Sequence, residues 1–228
     1  MKKLTTLRRS VTALAMAGAV CTSLVAMTAP VAAHSDEQTS EVRELPTFTK
    51  IRIKGGLELD LVAGKDQRVE VSTNKGHLAE VETYVRDDTL VIDMDHDDDD
   101  GIHINNEDVH VTISMAMLEE LEVLGAVDGD LRGIDSKNLR IDIKGAGDVE
   151  IEGTCGALEL EIKGAGDVDA EELKCADVEV RVKGVGEARV YASESVDADV
   201  SGIGSITVYG EPGKVRQSDG FLGSIRIK

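Results

Sequence analysis

Between Leu139 and Lys228 the sequence repeats itself about every nineteen residues, each time around a pair of glycines. The copies are LRIDIKGAGDVEIE (139–152), LELEIKGAGDVDAE (158–171), VEVRVKGVGEARVY (178–191), VDADVSGIGSITVY (196–209) and a truncated GFLGSIRIK (220–228). Their second glycines are Gly147, Gly166, Gly186, Gly204 and Gly223, spaced 19, 20, 18 and 19 residues apart. A degenerate earlier copy, LEELEVLGAVDGDL, starts at Leu118, so regular repeats fill 116–228. A period of this length marks a repeat architecture in which each unit buries its apolar side against the next.

Within a copy the pattern alternates. Leu139, Ile141 and Ile143 alternate with Arg140, Asp142 and Lys144, and Val149 and Ile151 alternate with Asp148 and Glu150. Strict alternation means a strand with one buried face. Each copy therefore reads as strand, glycine corner, strand and short turn. Hairpins need neighbouring strands joined by tight turns. Equivalent residues recurring at a fixed period instead predict one coil per copy, hydrogen-bonded to the next at ~4.8 Å. The expected fold is all-β, a parallel β-helix or β-solenoid, with right-handed crossovers as parallel strands prefer. Its interior would hold columns such as Leu139, Leu158 and Val178, or Val149, Val168, Ala188, Ile206 and Ile225. Aliphatic columns suit a chain with no Trp, three Tyr and two Phe. Residues 46–115 carry alternating segments without a period (48–54, 57–62, 68–72, 89–94 and 109–115) and are read as the opening of the same sheet system.

Residues 1–33 read as an export signal: Lys2, Lys3, Arg8 and Arg9, an apolar run from Val11 to Met27, then Val31-Ala32-Ala33 before a cleavage point at His34. Residues 34–45 look like a flexible leader, and 46–228 a single domain. The precursor carries 25 Lys and Arg against 44 Asp and Glu. Removing the four signal bases leaves a mature charge of −23. Nucleic acid and anionic lipid both require a basic face, so neither is an expected partner. No later apolar run is long enough to span a membrane.

The ordered segments FTKIRIKGGLELDLVAG (48–64), TLVIDM (89–94), VHVTIS (109–114) and the units KGAGDVEIEG, KGAGDVDAEEL and KGVGEARVYASESVDADVSGIGSITVYG resemble the putative auto-transporter adhesin, head GIN domain family of bacterial envelope proteins. The resemblance covers 46–228, and it departs from the family's pattern where Lys144, Lys163 and Lys183 replace a serine. It implies a β-helical fold, a periplasmic or cell-surface location and an adhesin-like binding role. It transfers no catalytic residue.

Several candidate chemistries need weighing. The Gly-x-Gly corners lack the third glycine and following helix of a phosphate loop, and are read as corners that tolerate unusual backbone angles. The acidic segment DMDHDDDDGIHINNEDVH (93–110) partly matches a calcium loop through Asp98, Asp100 and Glu107, with His96 in the first ligand place. His96, His103 and His110 would suit zinc or copper. The favoured reading is a solvated loop, with calcium second, so no resident cofactor is expected. Lys144, Lys163 and Lys183 stack like charges, which Asp148, Asp167 and Glu187 would compensate; an anion-binding stripe is the alternative. Asp142, Glu161 and Asp167 could imitate the carboxylate cluster of a carbohydrate-active β-helix enzyme, but every outward position here is charged, so no catalytic residue is assigned.

Cys155 and Cys175 stand three residues before Leu158 and Val178, which open equivalent strands, with Ser136 and Ser193 expected above and below. One coil of separation brings their Cα atoms within disulfide range in an oxidising compartment. At the chain's last strand, Arg226 and Lys228 are read as charged gatekeepers of a monomer. The expected function is that of a non-enzymatic envelope protein binding a glycan or protein ligand, with a carbohydrate-active enzyme or a calcium-stabilised structural protein as alternatives.

Overall fold

A computed structural model describes residues 38–74, 77–94 and 109–228. These residues hold β1 (Thr39–Arg43), β2 (Lys50–Lys54), β3 (Gly56–Ala63), β4 (Arg68–Thr73), a 3-10 turn at Leu78–Glu80, β5 (Glu82–Arg86), β6 (Thr89–Asp93), β7 (Val109–Met115), β8 (Glu120–Val123), β9 (Ala126–Ile143), β10 (Ala146–Ile162), β11 (Ala165–Val182), β12 (Val185–Val200), β13 (Ile203–Tyr209), β14 (Lys214–Asp219) and β15 (Gly223–Ile227). Residues 1–37, with the expected export signal, and the acidic segment 95–108 lie outside the described residues.

β9 to β13 lie parallel in the register that the repeats predict. Leu139, Leu158, Val178, Val196 and Val215 form one column. Val149, Val168, Ala188, Ile206 and Ile225 form another. Leu139, Leu158, Val168, Val178 and Ile206 are all buried, so the alternation in sequence is the alternation between core and solvent. Each coil is a stacked rung of a β-solenoid, and backbone pairing between rungs leaves the interior to aliphatic side chains. Phe48 is the one aromatic in the described core.

Repeat length varies on the side of the coil away from the glycine corner. There the pairing of β10 with β11 shifts between Glu150 and Gly153, and that of β11 with β12 between Ala170 and Lys174 and between Cys175 and Asp177. The shorter β12 therefore sets Ala192, not Ser193, beside Cys175. The predicted neighbour Ser193 is displaced by this shift and its hydroxyl donates to the Cys175 carbonyl at 3.3 Å.

The non-periodic N-terminal region joins the same stack. β2 and β3 form a coil whose Ile51 and Leu57 align with Leu121 and Val127 of the next coil. β6 and β7 form a further coil outside it, parallel to β2 and β3. Antiparallel β5 and β4 then pair with β6 and β7, and β1 pairs with β4. Residues 34–45, expected as a leader, thus contain a strand at Thr39–Arg43. Only Val42 interrupts its polar run, so the pattern carries no apolar alternation to announce it; the open edge of β4 supplies the partner.

The corner glycines are required by contact. A Cβ on Gly164 would lie 1.7 Å from the carbonyl oxygen of Gly145, and one on Gly184 1.8 Å from that of Gly164. Gly125, Gly145 and Gly202 are equally crowded. Unusual backbone angles, the expected reason, hold at Gly55 (φ +100°) and at the second glycines Gly166 and Gly186 (+156° and +158°), but not at the first glycines Gly125, Gly145, Gly164, Gly184 and Gly202, where contact alone decides. Coils touch backbone to backbone at the corner, and no side chain fits between them.

Candidate functional site

The stacked strands present two outward faces with opposite electrostatic design. The first face carries the residues that precede each corner. Glu122, Asp142 and Glu161 follow one another across adjacent coils. Lysines flank them. Lys144 pairs with Glu122 and Asp142, Lys163 with Asp142 at 3.4 Å and Glu161 at 2.6 Å, and Lys183 with Glu161. Arg52 also pairs with Glu122. The lysine column is therefore compensated, but by Glu122, Asp142 and Glu161 rather than by Asp148, Asp167 and Glu187. A strand's side chains alternate, and the corner turns the later acids onto the other face.

Burial shapes this ladder. Asp142 and Glu161 are 4% and 7% exposed, although both sit at outward positions, because the lysine stems fold over them. Burial pushes the Glu161 carboxyl up, but hydrogen bonds from Lys163 and Lys183 outweigh it and hold the group at about 2. Glu122 is likewise held low by Lys144 and Arg52 against the upward push of burial. Hydrogen bonds that Lys144 and Lys163 donate to their carboxylate partners hold both lysines above their ordinary value.

The second face follows the corner and is acidic. Glu58, Asp128, Asp148, Asp167 and Glu187 form one row, and Asp60, Asp130, Glu150 and Asp169 the next, ended by Arg189. Part of the first row serves the backbone: the Asp167 amide donates to Asp148 at 3.2 Å, and the Glu187 amide to Asp167 at 2.7 Å. His110, the one described histidine of the acidic segment, sits 3.3 Å from Glu58 and 3.2 Å from Asp60. The calcium candidates Asp98, Asp100 and Glu107, with His96 and His103, lie outside the described residues. Among the described residues no group of three or more His, Cys, Asp or Glu side chains is arranged to hold a metal ion. Asp142 and Glu161 share the first face, whereas Asp167 lies on the second, so the three carboxylates do not converge.

Where the first face begins, equivalent positions of successive coils line an open groove of about 810 Å³. Its outer wall is the row Asn138, Ala157, Asp177, Ser195 and Lys214. Its floor is the buried column Leu139, Leu158, Val178 and Val196, continued by the half-exposed Val215. Its inner wall holds ion pairs, Arg140 with Glu159 and Arg216 with Asp197 at 2.9 Å. The Ser195 hydroxyl donates to Asp177. Five rungs at strand spacing make it roughly 20 Å long. Nothing in the alternation announces this groove, because its width depends on how the turn side folds back, where the register shifts.

Cys155 and Cys175 stand opposite one another in the same side of the coil, bridged by a disulfide with a Cα–Cα distance of 4.5 Å. No helix among the described residues is long and apolar enough to cross a membrane, which says nothing of a β-barrel.

Known proteins share this architecture. A putative adhesin from Bacteroides fragilis matches with a TM-score of 0.69 and 25% identity, over 85% of this chain and 98% of that one. A putative adhesin from Parabacteroides merdae matches with a TM-score of 0.52 and 13% identity, over 85% and 97%. A putative lipid binding protein from Parabacteroides distasonis gives 0.48 and 17%, over 84% and 96%. No curated protein matches the chain. The family model described as putative auto-transporter adhesin, head GIN domain, matches residues 47–212.

Proposed function

The chain belongs to the putative auto-transporter adhesin, head GIN domain family, and on that premise we propose that it is an exported cell-envelope protein that binds an extended glycan without chemically altering it. The observation that carries this reading is the groove, which repeats the same three positions over successive coils. A repeating trough suits a repeating ligand laid along the stack. Asn138, Asp177, Ser195 and Lys214 offer hydrogen-bonding groups on its outer wall, and Ala157 with Val215 offers apolar contact. The charged groups of the inner wall are engaged by one another, Arg140 with Glu159, Arg216 with Asp197 and Glu179 with Arg181, which suits a neutral polyhydroxylated chain better than an ionic one. The trough is open along its length, as an extended chain requires. The separation of Asp142 and Glu161 from Asp167 supports binding over hydrolysis, and lysines already hold the first two. No resident cofactor enters this reading.

A screen of residues 34–228 against glycans and envelope components tests it. Binding of one or more extended glycans, with no release of reducing ends, is expected. Sugar release would turn the assignment to a carbohydrate-active enzyme.

A further inference from the structure

The second face changes character along the stack. On β9, β10 and β11 its first two outward positions are all carboxylates: Asp128 and Asp130, Asp148 and Glu150, Asp167 and Asp169. β12 is the transition, with Glu187 and Arg189. On β13 and β15 the same positions hold Ser205 and Thr207, then Ser224 and Arg226. A third outward row places Tyr209 beside Tyr191. Lys228, expected as a gatekeeper, closes that row: its Nζ donates to the Tyr209 hydroxyl at 3.1 Å and lies 4.7 Å over the ring. These residues alternate with Ile206, Val208 and Ile225, which pack in or against the core, so their side chains leave the side of the stack. In a chain of formal charge −19, two adjacent coils thus offer hydroxyls, a guanidinium and an ammonium where the other coils offer acids.

Thr207 marks the centre of this patch. It stands at an outward position yet is only 5% exposed, with Arg189 and Arg226 on either side of it in the row. Its hydroxyl has no hydrogen-bond partner among the described residues, and neither has the Arg226 guanidinium. A buried hydroxyl left unpaired costs free energy, which an incoming acceptor would recover. Arg189 is already held by Asp169 at 3.0 Å and Glu187 at 3.2 Å, so it frames the position while Arg226 supplies the free positive charge. We propose that Thr207 and Arg226, with Ser205, Ser224 and Lys228 around them, bind a tetrahedral oxyanion, the sulfate or phosphate group of a ligand. The guanidinium fork suits two oxygens of such a group, and the Thr207 hydroxyl takes a third, one more than a carboxylate offers. A polyanion laid along the stack would meet Asp167, Asp169 and the acids beyond them. The patch therefore takes a single anionic group and rejects a run of them.

The patch lies on the second face and the groove on the first, so this inference does not rest on the groove's ligand. The test titrates residues 34–228 with sodium sulfate, sodium phosphate, a glucose sulfate ester and the matching phosphate ester, at constant ionic strength, and follows amide chemical shifts. Saturable shifts at Thr207 and Arg226 are expected, with Asp128 and Glu150 unmoved, and the tightest of the four identifies the source of the group. Arg226→Gln should weaken binding roughly tenfold or more, since it removes the charge-assisted donor. Thr207→Val keeps the shape and removes the hydroxyl. It should weaken binding several-fold and leave the anion-free melting temperature unchanged or higher, because a buried hydroxyl without a partner costs stability. No saturable shift with any of the four, shifts as large at Asp128 and Glu150, full binding by either variant, or a lower anion-free melting temperature in Thr207→Val would each overturn the proposal.

Discussion

A methyl group on Gly164 would sit 1.7 Å from the Gly145 carbonyl oxygen, so the smallest substitution there forces two coils apart. Gly164→Ala should cost at least ~2 kcal/mol in denaturant unfolding, since the obstacle is backbone and cannot rotate away. Gly213→Ala, whose nearest neighbour would be Glu194 oxygen at 3.8 Å, should stay within ~0.5 kcal/mol. Glu161 makes a different kind of prediction. Its carboxyl lies at about 2 in the folded chain against 4.5 for the free group. A depressed carboxyl contributes stability that is present above 4.5 and lost as pH falls through 2. Glu161→Gln should therefore lower the melting temperature at neutral pH, and the gap from wild type should close as pH approaches 2. A constant gap across that window would show that the residue acts by packing alone. At Cys155 and Cys175 the expected result is no free thiol in unfolded, unreduced protein. Reduction should cost on the order of 3 kcal/mol, because the bridge closes a loop of 20 residues.

At the scale of strands and faces, the periodic half was legible because two signals coincide. Alternation fixes which side chains face inward, and recurring glycines fix which coils align, so Leu139 over Leu158 and Cys155 beside Cys175 follow by counting. Counting fails where length changes without a glycine to mark it, as at Ser193, which the short β12 moves off the cysteine row. It fails again at β1, whose polar run pairs only because β4 leaves an edge. Charge compensation was legible as a need, but not in its partners. Asp148 and Asp167 stand four residues past Lys144 and Lys163, beyond a corner that rotates them to the acidic face, and Asp142 and Glu161, two residues before those lysines, meet them instead. The groove was not legible, because its walls come from five coils and its width from the irregular turn. The two faces predict opposite responses to salt. Stacked acids on the second face repel through solvent and are screened, whereas the half-buried ladder on the first is screened less. Moderate sodium chloride should therefore raise the melting temperature of residues 34–228. A fall would mean that the ion ladder outweighs the acidic rows.

For the whole molecule, the coils act together. Aliphatic columns and corner glycines keep the strands on either side of the corner in register from coil to coil, and the formal charge of −19 on the chain keeps anionic polymers away from the trough. A ligand that spans several rungs collects one small set of contacts from each, so affinity should rise with ligand length until the trough is filled, roughly 20 Å along the stack. Ala157 is the second of the five outer-wall residues, where an arginine would reach across the trough without disturbing the core. The most direct test is calorimetric titration of residues 34–228 with a length series of the glycan that the screen identifies, using wild type and Ala157→Arg with matched melting temperatures. The account predicts affinity that climbs with length and then levels, and a loss of at least tenfold in Ala157→Arg. Affinity independent of length, or full binding by Ala157→Arg, would contradict it.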